Sequence, residues 1–127
     1  MEMKCEKIYS DTEMRLLQDA LYVLNGKWKL YIVRAMAEGN NRFSDLKNTL
    51  KSITPRMLSK ELKELEVNHI ITKVVHEEDY PSWTEYRFTD YSKALAPVMD
   101  NLITWAASHR QELFPANSLT VDSNHFP

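Results

Sequence analysis

Residues 53–66, ITPRMLSKELKELE, carry a helix start and two contrasting faces. Thr54 suits the N-cap, because its hydroxyl can accept a backbone N–H of the first turn. Pro55 suits the first helical position, where a missing N–H leaves nothing unsatisfied. At about 100° per residue, Leu58, Leu62 and Leu65 gather within a sector of roughly 60°. Arg56, Lys60 and Lys63 gather opposite them, with Ser59 and Pro55 alongside, and Glu61 and Glu64 on the shoulders. Taken alone, such a charge run is no more than a solvated face. Its neighbours decide.

Upstream, RFSDLKNTL (42–50) reads as a short helix that buries Phe43, Leu46 and Leu50, joined to the first stretch by KSIT. Downstream, HIITKVVHE (69–77) is rich in β-branched residues and reads as a strand. EDYPS supplies turn chemistry, and the alternating WTEYRFT (83–89) returns as a second strand. Helix, tight connection, helix, hairpin is the layout of a winged helix-turn-helix, whose second helix enters the DNA major groove. On this reading Thr54, Pro55, Arg56, Ser59, Lys60 and Lys63 face double-stranded DNA. Arg can grip guanine bidentately, Lys acts more as a point charge, and the hydroxyls of Thr54 and Ser59 can bond phosphate or base. Arg42, Lys47 and Lys51 would hold the flanking backbone. The hairpin tip carries Glu77, Glu78 and Asp79, which repel phosphate, so either Lys73 and Arg87 on the strands make the wing contact or the wing stays clear.

Two helices precede this unit. Ser10 and Glu13 have capping-box spacing, and Met14, Leu17, Leu21 and Leu24 form an amphipathic seam ended by Asn25-Gly26. KWKLYIVRAMAE (27–38) places Trp28, Ile32, Ala35 and Met36 on one face, closed by Gly39. After the hairpin, Thr89-Asp90 caps YSKALAPVMDNLITWAASHRQEL (91–113), with Leu95, Val98, Met99, Leu102, Ile103 and Ala106 in one stripe. Pro97 must kink or divide that helix. The expected fold is mainly α with a small β-hairpin, as one domain over residues 1–127 with loose termini at 1–9 and 115–127.

The bulk numbers fit. The 127 residues are about one domain's length, 43% are hydrophobic, and the net charge of −2 excludes a globally basic nucleic-acid binder. Residues 42–76 nevertheless hold seven Lys or Arg against four acids, a local basic face on an acidic body. The single cysteine, Cys5, forms no intrachain disulfide and suits a reducing compartment. The amino terminus lacks the apolar core of a signal peptide, and no run is long enough for a membrane span. The expected location is the cytoplasm, with no membrane partner.

Gly26-Lys27-Trp28, Arg42-Phe43, Leu46, Ile53, Met57-Leu58, Leu62, Leu65-Glu66, Tyr86, Thr89, Leu95, Pro97-Val98 and Trp105, in this order over roughly residues 15–110, resemble the HxlR-type winged helix-turn-helix transcriptional regulators of bacteria. The resemblance implies a homodimer whose first and last helices pack across a two-fold axis, with the helix from Pro55 in the major groove. Met14, Leu17, Leu21, Leu24, Val98, Leu102 and Trp105 are the expected interface, since apolar stripes too large for a small domain to cover mark contact surfaces. Burial in the chain's own core is the competing reading. Many members carry a cysteine about a dozen residues before Gly-Lys-Trp. Arg15-Leu16-Leu17 stands there instead, so Cys5 reads as an unremarkable thiol. TDYS replaces the usual Thr-Glu-Leu-Gly at the entry to the last helix.

An enzyme is not expected. His69, His76, His109 and His125 are scattered without metal-ligand spacing, no glycine-rich phosphate loop exists, and no cofactor or metal is implied. Trp28, Tyr31, Trp83, Tyr86 and Trp105 offer the aromatic lining of a small-molecule effector pocket, against which core or interface packing is the stronger reading. The rival function is a winged helix used only for protein–protein contact, which would have no need of converging cations. The reading adopted is a dimeric regulator, more a repressor than an activator, on a near-palindromic operator.

Overall fold

The computed structural model describes residues 8–115. Cys5, His125 and most of the two expected loose termini lie outside them. The described chain forms two compact units, one ending at Phe88 and one starting at Thr89. The first holds α1 (Asp11–Leu24), α2 (Lys29–Ala37), α3 (Phe43–Leu50), α4 (Pro55–Val67), β1 (Ile71–His76) and β2 (Trp83–Phe88). The second holds a 3-10 turn, Tyr91–Ala94, that runs into α5 (Leu95–Leu113).

Local chemistry sets the helix ends. The Ser10 hydroxyl accepts the Glu13 N–H and the Glu13 carboxylate accepts the Ser10 N–H, both at 3.1 Å, completing the capping box of α1. α2 ends in a Schellman motif: Gly39 N–H donates to Met36 O and Asn40 N–H to Ala35 O, with Gly39 at φ +105°. α4 ends the same way, with His69 (φ +61°) in the glycine position, its N–H on Glu66 O and that of Ile70 on Leu65 O. Histidine tolerates this conformation better than branched residues do.

The core of the first unit is Ile32, Ala35 and Met36 of α2, Leu46 of α3, Leu58, Leu62 and Leu65 of α4, and Ile53, Ile70 and Ile71 around them. α2 packs on α3 and α4, α3 on β2, and α4 on β1. Phe43 and Leu50, expected inside, are half-buried. β1 and β2 pair antiparallel, Ile71 opposite Phe88 through His76 opposite Trp83. Tyr86 N–H also bonds Asn41 O at 2.8 Å, so the segment before α3 lies along β2 and ties the hairpin to the helical body.

α1 and α5 bury no residue in the single chain. Met14, Leu17 and Leu21 on α1, and Val98, Leu102 and Trp105 on α5, are all exposed, while Leu24 is half-buried. In the second unit the Thr89 hydroxyl accepts the Ser92 N–H at 3.1 Å, and the 3-10 turn hands over to α5 at Leu95. Pro97 therefore lies in the first turn of α5, where its missing N–H is harmless; the division precedes the proline.

Candidate nucleic-acid interface

The geometry of α4 follows from its sequence. The Thr54 hydroxyl accepts the Met57 N–H at 3.1 Å, with Pro55 at the first helical position. Leu58, Leu62 and Leu65 are sunk in the core, and Arg56, Ser59, Lys60 and Lys63 are exposed. Among the described residues, neither Arg56 nor Lys60 has an ion-pair partner within 4.0 Å. Lys63 has only a loose contact, 4.0 Å to Glu66 one turn on. Three long cations thus leave one side of a helix whose other side is anchored.

The flanking cations are more committed. Lys47, half-buried, donates its ammonium to Lys51 O at 3.0 Å across the turn between α3 and α4. Lys51 itself sits at φ +54°, ψ −70°, with Ser52 N–H on Leu50 O, a γ-turn that strains an L residue. Arg42, ahead of α3, lays its guanidinium on the Trp83 ring of β2. On the hairpin, Arg87 donates to Glu85 at 2.8 Å. Lys73 is exposed, and because it stands opposite Tyr86 whereas Arg87 stands opposite Thr72, the two cations project from opposite faces of the sheet.

The wing tip is organised around His76. Its Nδ1 lies 2.7 Å from Glu78 and its Nε2 2.7 Å from Glu85, and the ring stacks on Trp83 at 4.3 Å. Hydrogen bonds to Glu85 and Glu78 hold the imidazole pKa above its ordinary value. Arg87 and then His76 bring Glu85 down to about 2. His76, Glu78 and Asp79 are the only group of three or more His, Cys, Asp or Glu among the described residues whose ligand atoms all lie within 4.8 Å of one another. Both imidazole nitrogens face carboxylates, and Asp79 accepts the Trp83 indole N–H, so protein partners engage these groups.

One feature of the site escaped the sequence reading. Lys29, at the start of α2, is only 5% exposed and donates to Glu61 at 2.8 Å and also to Glu64, both on α4. Burial pulls the ammonium pKa down, and the two carboxylates more than reverse it, leaving it raised. The signal was present: Lys29 falls three residues before Ile32 and seven before Met36, on the buried face of α2. Glu61, placed on a shoulder, is 7% exposed.

The chain is similar to known regulators over most of its length. It is 32% identical over 119 residues to the HTH-type transcriptional regulator YybR of Bacillus subtilis, covering 92% of this chain and 94% of that protein. It is 33% identical over 98 residues to YtcD of the same organism, covering 77% of each. Its fold matches the reduced form of the transcriptional regulator YodB from B. subtilis with a TM-score of 0.69 at 27% identity, over 91% of this chain and all of the other. Among the described residues, no helix is long and apolar enough to cross a membrane. The HxlR-like helix-turn-helix family model matches residues 23–114, from the end of α1 to just past α5, and the chain therefore belongs to the HxlR family as a transcriptional regulator with a helix-turn-helix DNA-binding fold.

Proposed function

We propose that the protein acts as a cytoplasmic homodimer that occupies a near-palindromic operator, reads it with α4 and represses the adjacent promoter. The observation that carries this reading is the exposed set Arg56, Ser59, Lys60 and Lys63 on the side of α4 opposite the buried leucines. Thr54 and Pro55 begin the same surface. Thr54 accepts Met57 N–H and still has its hydroxyl proton to give to a phosphate. Arg42, Lys47 and Lys51 flank it, with Lys73 or Arg87 at the wing. The dimer contacts are the exposed Met14, Leu17 and Leu21 of α1 with the half-buried Leu24 at its end, and the exposed Val98, Leu102 and Trp105 of α5. Two-fold symmetry then spaces the half-sites about one helical turn apart, roughly 34–36 Å.

Selection of bound fragments from the source genome, followed by footprinting, tests this. Two protected half-sites related by a dyad are expected. Arg56→Ala should weaken specific binding most, and Lys47→Ala should weaken specific and non-specific binding alike. A protein serving only as a protein–protein module would select no fragments. Unchanged operator affinity in Arg56→Ala would remove that residue from the base-reading face.

A further inference from the structure

Lys29 does something that an apolar contact between α2 and α4 would not. Its ammonium binds two carboxylates on the DNA-facing helix, Glu61 at 2.8 Å and Glu64 one turn later. The Glu61 side chain is 9% exposed, whereas that of Glu64 is 43% exposed and borders the open side of α4. Glu64 is also four residues after Lys60, the spacing at which oppositely charged side chains pair along a helix. It nevertheless turns its carboxylate to Lys29, and Lys60 keeps no ion-pair partner within 4.0 Å among the described residues. Replacing a buried ion pair by apolar side chains of similar volume is often neutral or even stabilising. Simple adhesion of α2 to α4 is therefore a weak account of the triad.

We infer that Lys29 is a positioning residue for DNA binding: by drawing the Glu64 carboxylate inward, it keeps Lys60 unpaired and available to phosphate. This rests on the proposed DNA face of α4. Without Lys29, the Glu64 carboxylate turns outward along the helix to Lys60. Each phosphate contact then has to displace it, and fewer counterions are released on binding.

The test measures affinity for a fluorescein-labelled mixed-sequence duplex across a salt series, where the log–log slope changes by about 0.9 per phosphate neutralised. Lys60→Ala sets the reference loss. The double variant Lys29→Met/Glu61→Met removes the buried pair without stranding a charge. It should lose as much slope as Lys60→Ala, and adding Glu64→Gln should restore the wild-type slope. A merely structural Lys29 would not be rescued by a change at Glu64. A wild-type slope in the double variant, or a loss that Glu64→Gln does not repair, overturns the inference. A wild-type slope in Lys60→Ala removes Lys60 from the DNA face, and overturns that reading and this inference together.

A second measurement needs only a surface substitution. The hydrogen bond from Lys29, ahead of the nearby Lys60 charge, holds the Glu64 pKa below its ordinary value. Followed by NMR in Lys60→Ala, Glu64 should still titrate low. Its return to the ordinary range would mean that Lys60, not Lys29, holds the carboxylate, and would overturn the inference.

Discussion

The guanidinium carbon of Arg42 lies 3.8 Å from the centre of the Trp83 ring, joining the start of α3 to the second strand of the wing. Beside it, Asn41 O takes the Tyr86 N–H. The wing is thus fastened at adjacent positions, once through backbone and once through a side chain. An exposed cation–π contact contributes about 0.5–1 kcal/mol. Arg42→Ala should lower unfolding free energy in urea by about that amount and change the indole emission of Trp83. Unchanged stability and emission would show the stacking to be absent in solution.

The wing should respond to pH through His76. Its folded pKa is raised by Glu85 and Glu78, so protonated His76 stabilises the hairpin fully below its unfolded value of about 6.5. That contribution disappears as pH rises through the folded value. Glu85 works in the other direction. Its folded value of about 2 makes its contribution present above the ordinary carboxylate range and lost as pH falls toward 2. NMR titration of the imidazole should therefore give a midpoint above 6.5. A midpoint at or below 6.5 would contradict the arrangement.

Lys51 carries positive φ with a side chain attached, a conformation glycine adopts without steric cost. Lys51→Gly should raise unfolding free energy by about 1 kcal/mol, read as a higher Tm in the absence of DNA. A lower Tm would mean that the hydrogen bond from Lys47 needs the lysine backbone geometry more than the turn needs relief.

The uncovered stripes of α1 and α5 predict self-association. Leu21 is 65% and Trp105 64% exposed in the single chain. In a two-fold interface each substitution acts twice. Leu21→Glu should therefore raise the dimer Kd by roughly 10²–10⁴-fold, from about 1.5–3 kcal/mol per buried side chain. Sedimentation equilibrium checks this, and an unaltered mass distribution would place the interface elsewhere.

The parts of the fold written in short-range patterns were legible. Thr54-Pro55, the Leu58–Leu62–Leu65 face, the Ser10–Glu13 box and the hairpin strands all follow from cap chemistry and periodicity, which act within a few residues. The same periodicity gave the exposed side of α4. What stayed hidden depends on residues far apart in the chain. Lys29 meets Glu61 thirty-two positions on, and Arg42 meets Trp83 across the fold; a basic or acidic letter reads as surface until its partner is known. Pro97 reads as mid-helix because Thr89-Asp90 has the chemistry of a helix cap, whereas Tyr91–Ala94 takes the tighter 3-10 form and α5 starts only at Leu95. That Lys73 and Arg87 face opposite ways depends on register, which alternation within one strand does not set.

The most direct measurement is binding to duplex DNA across a salt series, comparing the wild-type chain with Arg56→Gln/Lys60→Gln/Lys63→Gln. Exposed positions should leave the fold intact by circular dichroism. The wild type should lose affinity steeply as salt rises, and the triple variant should give a slope shallower by about 0.9 for every phosphate contact removed. Equal slopes in the two proteins, or wild-type binding indifferent to salt, would contradict the assignment of this face of α4 to DNA.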